Sequence, residues 1–132
     1  MSPSTVRVLV VDDYEPFRRF VCSTLRTIPA LQIIGEVSDG LEAVRKAAEL
    51  KPDLILLDIG LPTLNGIEVA RQISTIAPES KVIFVTQESC PDVMQATLSL
   101  GAWGYVLKAK AASDLLLAVE AVLLGKRFVS RI

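Results

Sequence analysis

Leu54-Ile55-Leu56-Leu57-Asp58-Ile59-Gly60-Leu61-Pro62 lies near the middle of the chain and decides its fold class. Four apolar residues in a row, with no polar alternation, are the pattern of a strand buried on both faces. The run ends in an acid, and Gly60 and Pro62 supply the turn after it. Similar short apolar runs recur on either side, at Val6 to Val11, Leu31 to Val37, Lys81 to Val85 and Trp103 to Leu107.

Between these runs the sequence takes a helical period. Pro16 to Ile28 carries Phe17, Phe20, Val21, Leu25 and Ile28, with Pro29 just beyond. Asp39 is placed to cap a second helix and Asn65 a third, each with a glutamate three residues on (Glu42 and Glu68) in capping-box spacing. Ser89 with Pro91 starts a fourth helix that ends near Gly101. Ser113 to Leu124 is the fifth, and Gly125 terminates it. Five strand–helix pairs in strict alternation predict an α/β domain, a parallel sheet with helices on both faces and right-handed crossovers.

Composition narrows the function classes. The chain has 132 residues, which suits a single domain, and 51% of them are hydrophobic, enough for a substantial core. Its 14 basic and 15 acidic residues give a formal net charge of −1, with no basic stripe, so direct nucleic-acid contact is not expected. No apolar run approaches the ~20 residues needed to cross a bilayer. Met1 to Val6 lacks the features of a signal peptide, and a cytoplasmic location is expected. Cys22 and Cys90 form no CxxC pair and are read as buried and reduced. The absence of histidine removes Ser-His-Asp and Cys-His catalysis and the usual zinc sites.

Ligands of open α/β sheets bind at the carboxyl ends of the strands. There this chain places Asp12 and Asp13 after the first strand and Asp58 after the third. Thr86 follows the fourth strand and Lys108 the fifth. Taken singly, each has an ordinary explanation as a turn former, a cap, a loop hydroxyl or a surface charge. The set of five at equivalent positions is what discriminates. Three carboxylates in one cleft repel one another unless a cation compensates. A hard divalent ion such as Mg²⁺ takes carboxylates, waters and phosphate oxygens, and the lysine adds a second positive charge. An anionic phosphoryl donor can then approach a carboxylate nucleophile, with the threonine hydroxyl bonding the transferred group. A dinucleotide site would need a glycine-rich turn where Asp12-Asp13-Tyr14-Glu15-Pro16 stands. A flavodoxin-like phosphate site would need neutral donors there. A DxD-type aspartyl phosphatase would need an acid at Gly60.

These motifs together resemble the receiver domains of bacterial two-component response regulators. The matching pieces are Val10-Val11-Asp12-Asp13, Leu56-Leu57-Asp58 with Leu61-Pro62 and Asn65-Gly66, Thr86, and Gly101-Ala102 leading to Gly104-Tyr105-Val106-Leu107-Lys108. The match runs from about Val6 to Ser130. It implies a flavodoxin-like (βα)5 receiver fold with a five-stranded sheet in the order 2-1-3-4-5. It also implies that Asp58 is the phosphoacceptor. Asp12, Asp13, Asp58 and the backbone carbonyl of Gly60 are then the ligands of Mg²⁺ or Mn²⁺, with Asp13 the more direct of the two paired acids. Thr86 and Tyr105 become the switch pair and Lys108 the phosphoryl-pairing lysine. Without the resemblance, Tyr105 reads as a half-buried strand aromatic. The expected partner is a sensor histidine kinase, and the expected role a phosphorylation-dependent signalling switch rather than a metabolic enzyme. The alternatives are a phosphorylation-independent interaction module on the same fold and an aspartyl-phosphate hydrolase.

Two positions depart from the common pattern. Ala109 follows the lysine where many receivers carry a cis-proline. A non-proline cis bond costs roughly 3 kcal/mol, so a trans bond and an altered loop are expected. Gln87, beside Thr86, is larger than the usual residue and stands where it can limit access to Asp58.

The tail from Asp114 to Ser130 resembles receivers joined to LuxR-type helix-turn-helix effectors. The chain is accordingly read as one receiver domain, residues 1–132 with a core of about 6–125, either stand-alone or, the favoured reading, excised from a longer regulator whose effector would contact DNA. In the last helix Leu115, Ala118, Val119 and Val122 form a core stripe. Leu117, Ala121 and Leu124 form a second, displaced stripe. One helix on a sheet seldom buries both. The second stripe either meets a partner, such as a second copy of the chain, or is a locally apolar surface.

Overall fold

The computed structural model describes residues 5–131. The strands are β1 (Val6–Val11), β2 (Leu31–Val37), β3 (Leu54–Leu57), β4 (Lys81–Thr86), β5 (Gly104–Leu107) and β6 (Phe128–Val129). The helices are α1 (Glu15–Leu25), α2 (Gly40–Leu50), α3 (Gly66–Ile76), α4 (Pro91–Ser99) and α5 (Ala111–Leu123). All neighbouring strands are parallel, in the order β2-β1-β3-β4-β5-β6. The expected order 2-1-3-4-5 is thus present, with a sixth strand added beyond β5.

That strand is only two residues long, too short to leave a periodic signal. It is held by tertiary bonds. The Phe128 amide donates to the Trp103 carbonyl at 3.1 Å, and the Ser130 amide to the Tyr105 carbonyl at 2.8 Å. The Ser130 hydroxyl accepts from the Leu107 amide at 3.2 Å and donates to Asp114 Oδ2 at 2.6 Å.

Alternate strand residues feed two separate cores. On one face Val8, Val10, Leu54, Leu56, Ile83, Val85 and Val106 pack beneath α1 and α5. On the other Leu9, Val11, Ile55, Leu57, Phe84 and Tyr105 pack beneath α2, α3 and α4. Leu115, Ala118, Val119 and Val122 of α5 are fully buried, as the first stripe requires. Leu117 and Leu124 of the second stripe are 53% and 75% exposed, and Ala121 is half-buried.

Helix ends follow the sequence signals in part. Asp39 accepts the Glu42 amide at 2.7 Å, and Asn65 accepts the amides of Ile67 and Glu68 at 2.9 and 3.1 Å. Neither glutamate closes a reciprocal capping box. Glu42 pairs with Arg45 and Glu68 with Arg71, one helical turn on. The cap of α4 is Cys90 rather than Ser89, with Pro91 in the first turn. Cys90 is therefore exposed, which corrects the expectation of two buried thiols. Only Cys22 lies in the core, where burial pushes its thiol up to about 11. α1 stops at Leu25 rather than Ile28, and α5 begins at Ala111, before Ser113. Gly125 takes the left-handed conformation of a helix terminator, with φ of 80°. No described peptide bond is cis, and Lys108–Lys110 forms a short 3₁₀ turn leading into α5. Among the described residues no helix is long and apolar enough to cross a membrane.

Gly66 sets the distance between α3 and the end of β3. A Cβ there would lie 2.0 Å from the Asp58 carbonyl oxygen. Gly60 has open space around the same position. Gly66→Ala is expected to destabilise the fold by about 3 kcal/mol, the upper end of the overpacking range, while Gly60→Ala stays near wild type. Urea midpoints of the two variants check this.

Candidate functional site

Three strand ends meet at the carboxyl edge of the sheet. The Asp12 amide continues the β1–β2 ladder by donating to the Val37 carbonyl at 3.0 Å. The Asp58 amide does the same between β3 and β1, donating to the Val11 carbonyl at 3.1 Å. Backbone pairing therefore fixes the root of each acid. Asp12, Asp58 and Thr86 are buried, whereas Asp13 is exposed. Oxygens of Asp12, Asp13 and Asp58 all lie within 4.8 Å of one another. They are hard oxygen donors clustered at ion-binding separation, and they suit a divalent cation of the Mg²⁺ type.

Lys108 reaches into this cluster from the end of β5. Its Nζ lies 2.9 Å from Asp12 Oδ2 and 3.0 Å from Asp58 Oδ2. The same ammonium stands 4.7 Å from the centre of the Phe17 ring on α1, within cation–π range. The remaining Asp12 oxygen, Oδ1, accepts the Tyr14 amide at 2.8 Å, and Asp58 Oδ1 accepts the Ile59 amide at 2.7 Å. Both oxygens of Asp12 and of Asp58 are thus engaged. The Asp13 carboxylate has no hydrogen bond or ion pair among the described residues.

Burial raises the pKa of Asp12. The bonds from Lys108 and Tyr14 pull it the other way without offsetting the loss of water, and the Asp58 charge adds to the rise. Lys108 responds oppositely. Burial lowers its pKa, but the two carboxylates outweigh that and hold it above the ordinary lysine value. The lysine is therefore charged at any physiological pH.

The open face of the cluster is a cleft of about 870 Å³. Asp13, Asp58, Gly60, Thr86, Gln87, Glu88 and Lys108 contribute to its walls, and Gln87 is exposed within it. Tyr105 lies behind the cleft and is completely buried rather than half-buried. It packs against Phe84, with ring centres 6.3 Å apart. Its hydroxyl donates to the Glu88 carbonyl at 2.7 Å, and burial pushes its pKa up to about 12. The Thr86 hydroxyl accepts the Glu88 amide at 3.2 Å. Both hydroxyls are thus tied to the backbone of one residue, whose carboxylate in turn accepts the Cys90 amide at the start of α4.

The structure brings together Asp12, Asp13, Asp58, Gly60, Thr86 and Lys108 around the cleft. Leu117, Ala121 and Leu124 lie apart from it on α5. Glu88 is absent from the sequence reading because backbone groups make two of its three bonds, and backbone groups carry no residue signal. Phe17 reads from sequence as a core position of α1, and its contact with Lys108 depends on how α1 docks.

Comparison with known proteins agrees with this geometry. The family model for the response regulator receiver domain matches residues 8–120. The response regulator GacA of Pseudomonas viridiflava is 35% identical over 125 residues, covering 95% of this chain and 58% of GacA. The transcriptional regulatory protein LiaR of Bacillus subtilis is 36% identical over 121 residues, covering 92% of this chain and 57% of LiaR. The chain thus spans somewhat over half the length of these relatives. The crystal structure of a LuxR-family two-component response regulator from Aurantimonas sp. superposes with a TM-score of 0.89 at 30% identity, covering 95% of this chain and 89% of that one. The chain belongs to the response regulator receiver domain family, whose general function is that of a phosphorylation-dependent switch, with relatives of LuxR type.

Proposed function

We propose that this domain accepts a phosphoryl group on Asp58 from a sensor histidine kinase and signals the change through the surface around α4 and α5. The observation that carries this reading is the Lys108 ammonium held between Asp12 and Asp58, with Asp13 beside them. An Asp58 oxygen forms the new O–P bond while the phosphoryl bond to the donor's imidazole breaks and the imidazole leaves. Asp12, Asp13, Asp58 and the Gly60 carbonyl would hold Mg²⁺ or Mn²⁺, which supplies positive charge to the incoming phosphoryl oxygens. Lys108 then pairs with the phosphoryl group, and its tie to Asp12 keeps it within reach. Thr86 turns its hydroxyl to the new group and gives up the Glu88 amide. Glu88 also holds the Tyr105 hydroxyl, so its release frees Tyr105 and the start of α4 together.

The domain assists its own phosphorylation and hydrolysis and serves as a regulator, not as a metabolic enzyme. It acts in the cytoplasm as one receiver domain over residues 1–132, with its core at about 6–125. An effector outside this chain contacts DNA, in keeping with the transcriptional role in LiaR's name. A second copy of the chain docks on the uncovered α5 stripe of Leu117, Ala121 and Leu124.

Incubation with Mg²⁺ and a small phosphodonor should add one acid-stable, base-labile phosphoryl group by intact mass. No adduct on wild type, or an equal adduct on Asp58→Asn, would sink the reading. Leu117→Glu should shift sedimentation toward monomer in the phosphorylated state, and unchanged sedimentation in both states would remove the α5 dimer.

The site also carries a stability cost. Because burial raises the Asp12 pKa, the penalty is absent below the ordinary carboxylate value, grows as pH rises through it, and is complete above the folded-state value. Asp12→Asn keeps an acceptor for Tyr14 and sheds the buried charge. In EDTA its stability relative to wild type should be greater at pH 7 than near pH 3, where both side chains are neutral. Thermal melts at both pH values check this.

A further inference from the structure

We propose that Arg18 is a positioning residue that tunes divalent-cation affinity by fixing the peptide between Asp12 and Asp13. The inference rests on the metal reading above and concerns a residue outside the acidic cluster. Arg18 projects from α1, and its side chain is only 17% exposed. One guanidinium nitrogen, Nη1, donates to the Asp12 carbonyl oxygen at 2.8 Å. Another, Nε, donates to Glu36 Oε1 on β2 at 3.2 Å. Glu15 stands at 4.0 Å on the same helix.

The Asp12 carbonyl belongs to the peptide that joins the two acids. Its orientation fixes where the Asp13 amide and Cα stand, and so limits the directions the Asp13 side chain can take. Asp12 is otherwise fully held, by Val37 at its amide, Tyr14 at Oδ1 and Lys108 at Oδ2. Asp13 is exposed, and among the described residues its carboxylate has no partner of its own. Arg18 is thus a side-chain restraint on the one acid that nothing else orients. Its planar fork can serve a carbonyl and a carboxylate together, which a lysine cannot do with one nitrogen.

The charge of Arg18 works against a cation, and the structure offsets part of it. Glu36 and Glu15 flank the guanidinium, each shared with a second arginine, Arg26 at 4.0 Å and Arg19 at 3.1 Å. Removing an outer partner of a metal ligand typically weakens binding by roughly 10- to 100-fold. A pure charge effect has the opposite sign, since deleting a nearby cation would tighten Mg²⁺.

The test is a Mg²⁺ titration at constant ionic strength, followed by NMR at the Ile59 amide. Arg18→Ala should weaken the Kd by about 10-fold, and Arg18→Lys should fall between it and wild type. Arg19→Ala makes the same charge change on the neighbouring exposed residue, which pairs with Glu15 alone at 3.1 Å. It should leave the Kd unchanged. Should Arg18→Ala fail to fold, Arg18→Gln, which keeps the stem and loses both the charge and the fork, takes its place and should weaken the Kd several-fold. A wild-type or tighter Kd in Arg18→Ala, or in Arg18→Gln where it stands in, overturns the proposal. So does an equal loss in Arg19→Ala. A wild-type protein that shows no Mg²⁺-dependent shift fails differently, because it removes the metal reading itself.

Discussion

A single ammonium group, Lys108 Nζ, holds the carboxyl edge of this domain together. Two carboxylates taken almost wholly out of water would repel each other and favour protonation. Lys108 sits at 2.9 and 3.0 Å from them and sets a positive charge against both. Its own position depends on β5 lying next to β4, and on α1 bringing Phe17 under the ammonium. The site therefore exists only when the sheet is in register and α1 is docked. Elements far apart in sequence meet in one electrostatic contact.

That contact is also an open valence. In the absence of a cation, Lys108 is the only countercharge to Asp12 and Asp58 that the described residues provide. An incoming group that is itself anionic gives the lysine a stronger partner, and a divalent cation gives the acids one. A buried charge arrangement tolerated at a cost in the resting fold becomes favourable when occupied.

Most of this could be read from the sequence, for reasons tied to particular residues. Unbroken apolar runs such as Leu54 to Leu57 mark buried parallel strands, and the residue after each run falls at the binding edge. That rule alone located Asp12, Asp58, Thr86 and Lys108. Caps at Asp39 and Asn65 were legible because a side chain makes the bond. What escaped was tertiary or carried by the backbone. β6 is two residues held by Ser130, the glutamates of the expected capping boxes turned to arginines one turn on, and Glu88 joins two hydroxyls through main-chain atoms. Arg18 gave no signal either. On a surface helix a lone arginine looks solvated, and only the docking of α1 against β2 shows its fork closing on Asp12 and Glu36.

The division of the core into two has a mechanical consequence. Tyr105 and Phe84 belong to the cluster beneath α2, α3 and α4, whereas α1 and α5 are packed on the far side of the sheet. Of the helices, α4 has the thinnest attachment, with Thr97 its one fully buried residue. The sheet acts as a bulkhead. Glu88, Tyr105 and α4 lie on one side of it, and the core beneath α1 and α5 lies on the other. The molecule thus has a firmly fastened hull and one lightly fastened plate, and the plate begins beside the residue that both hydroxyls hold.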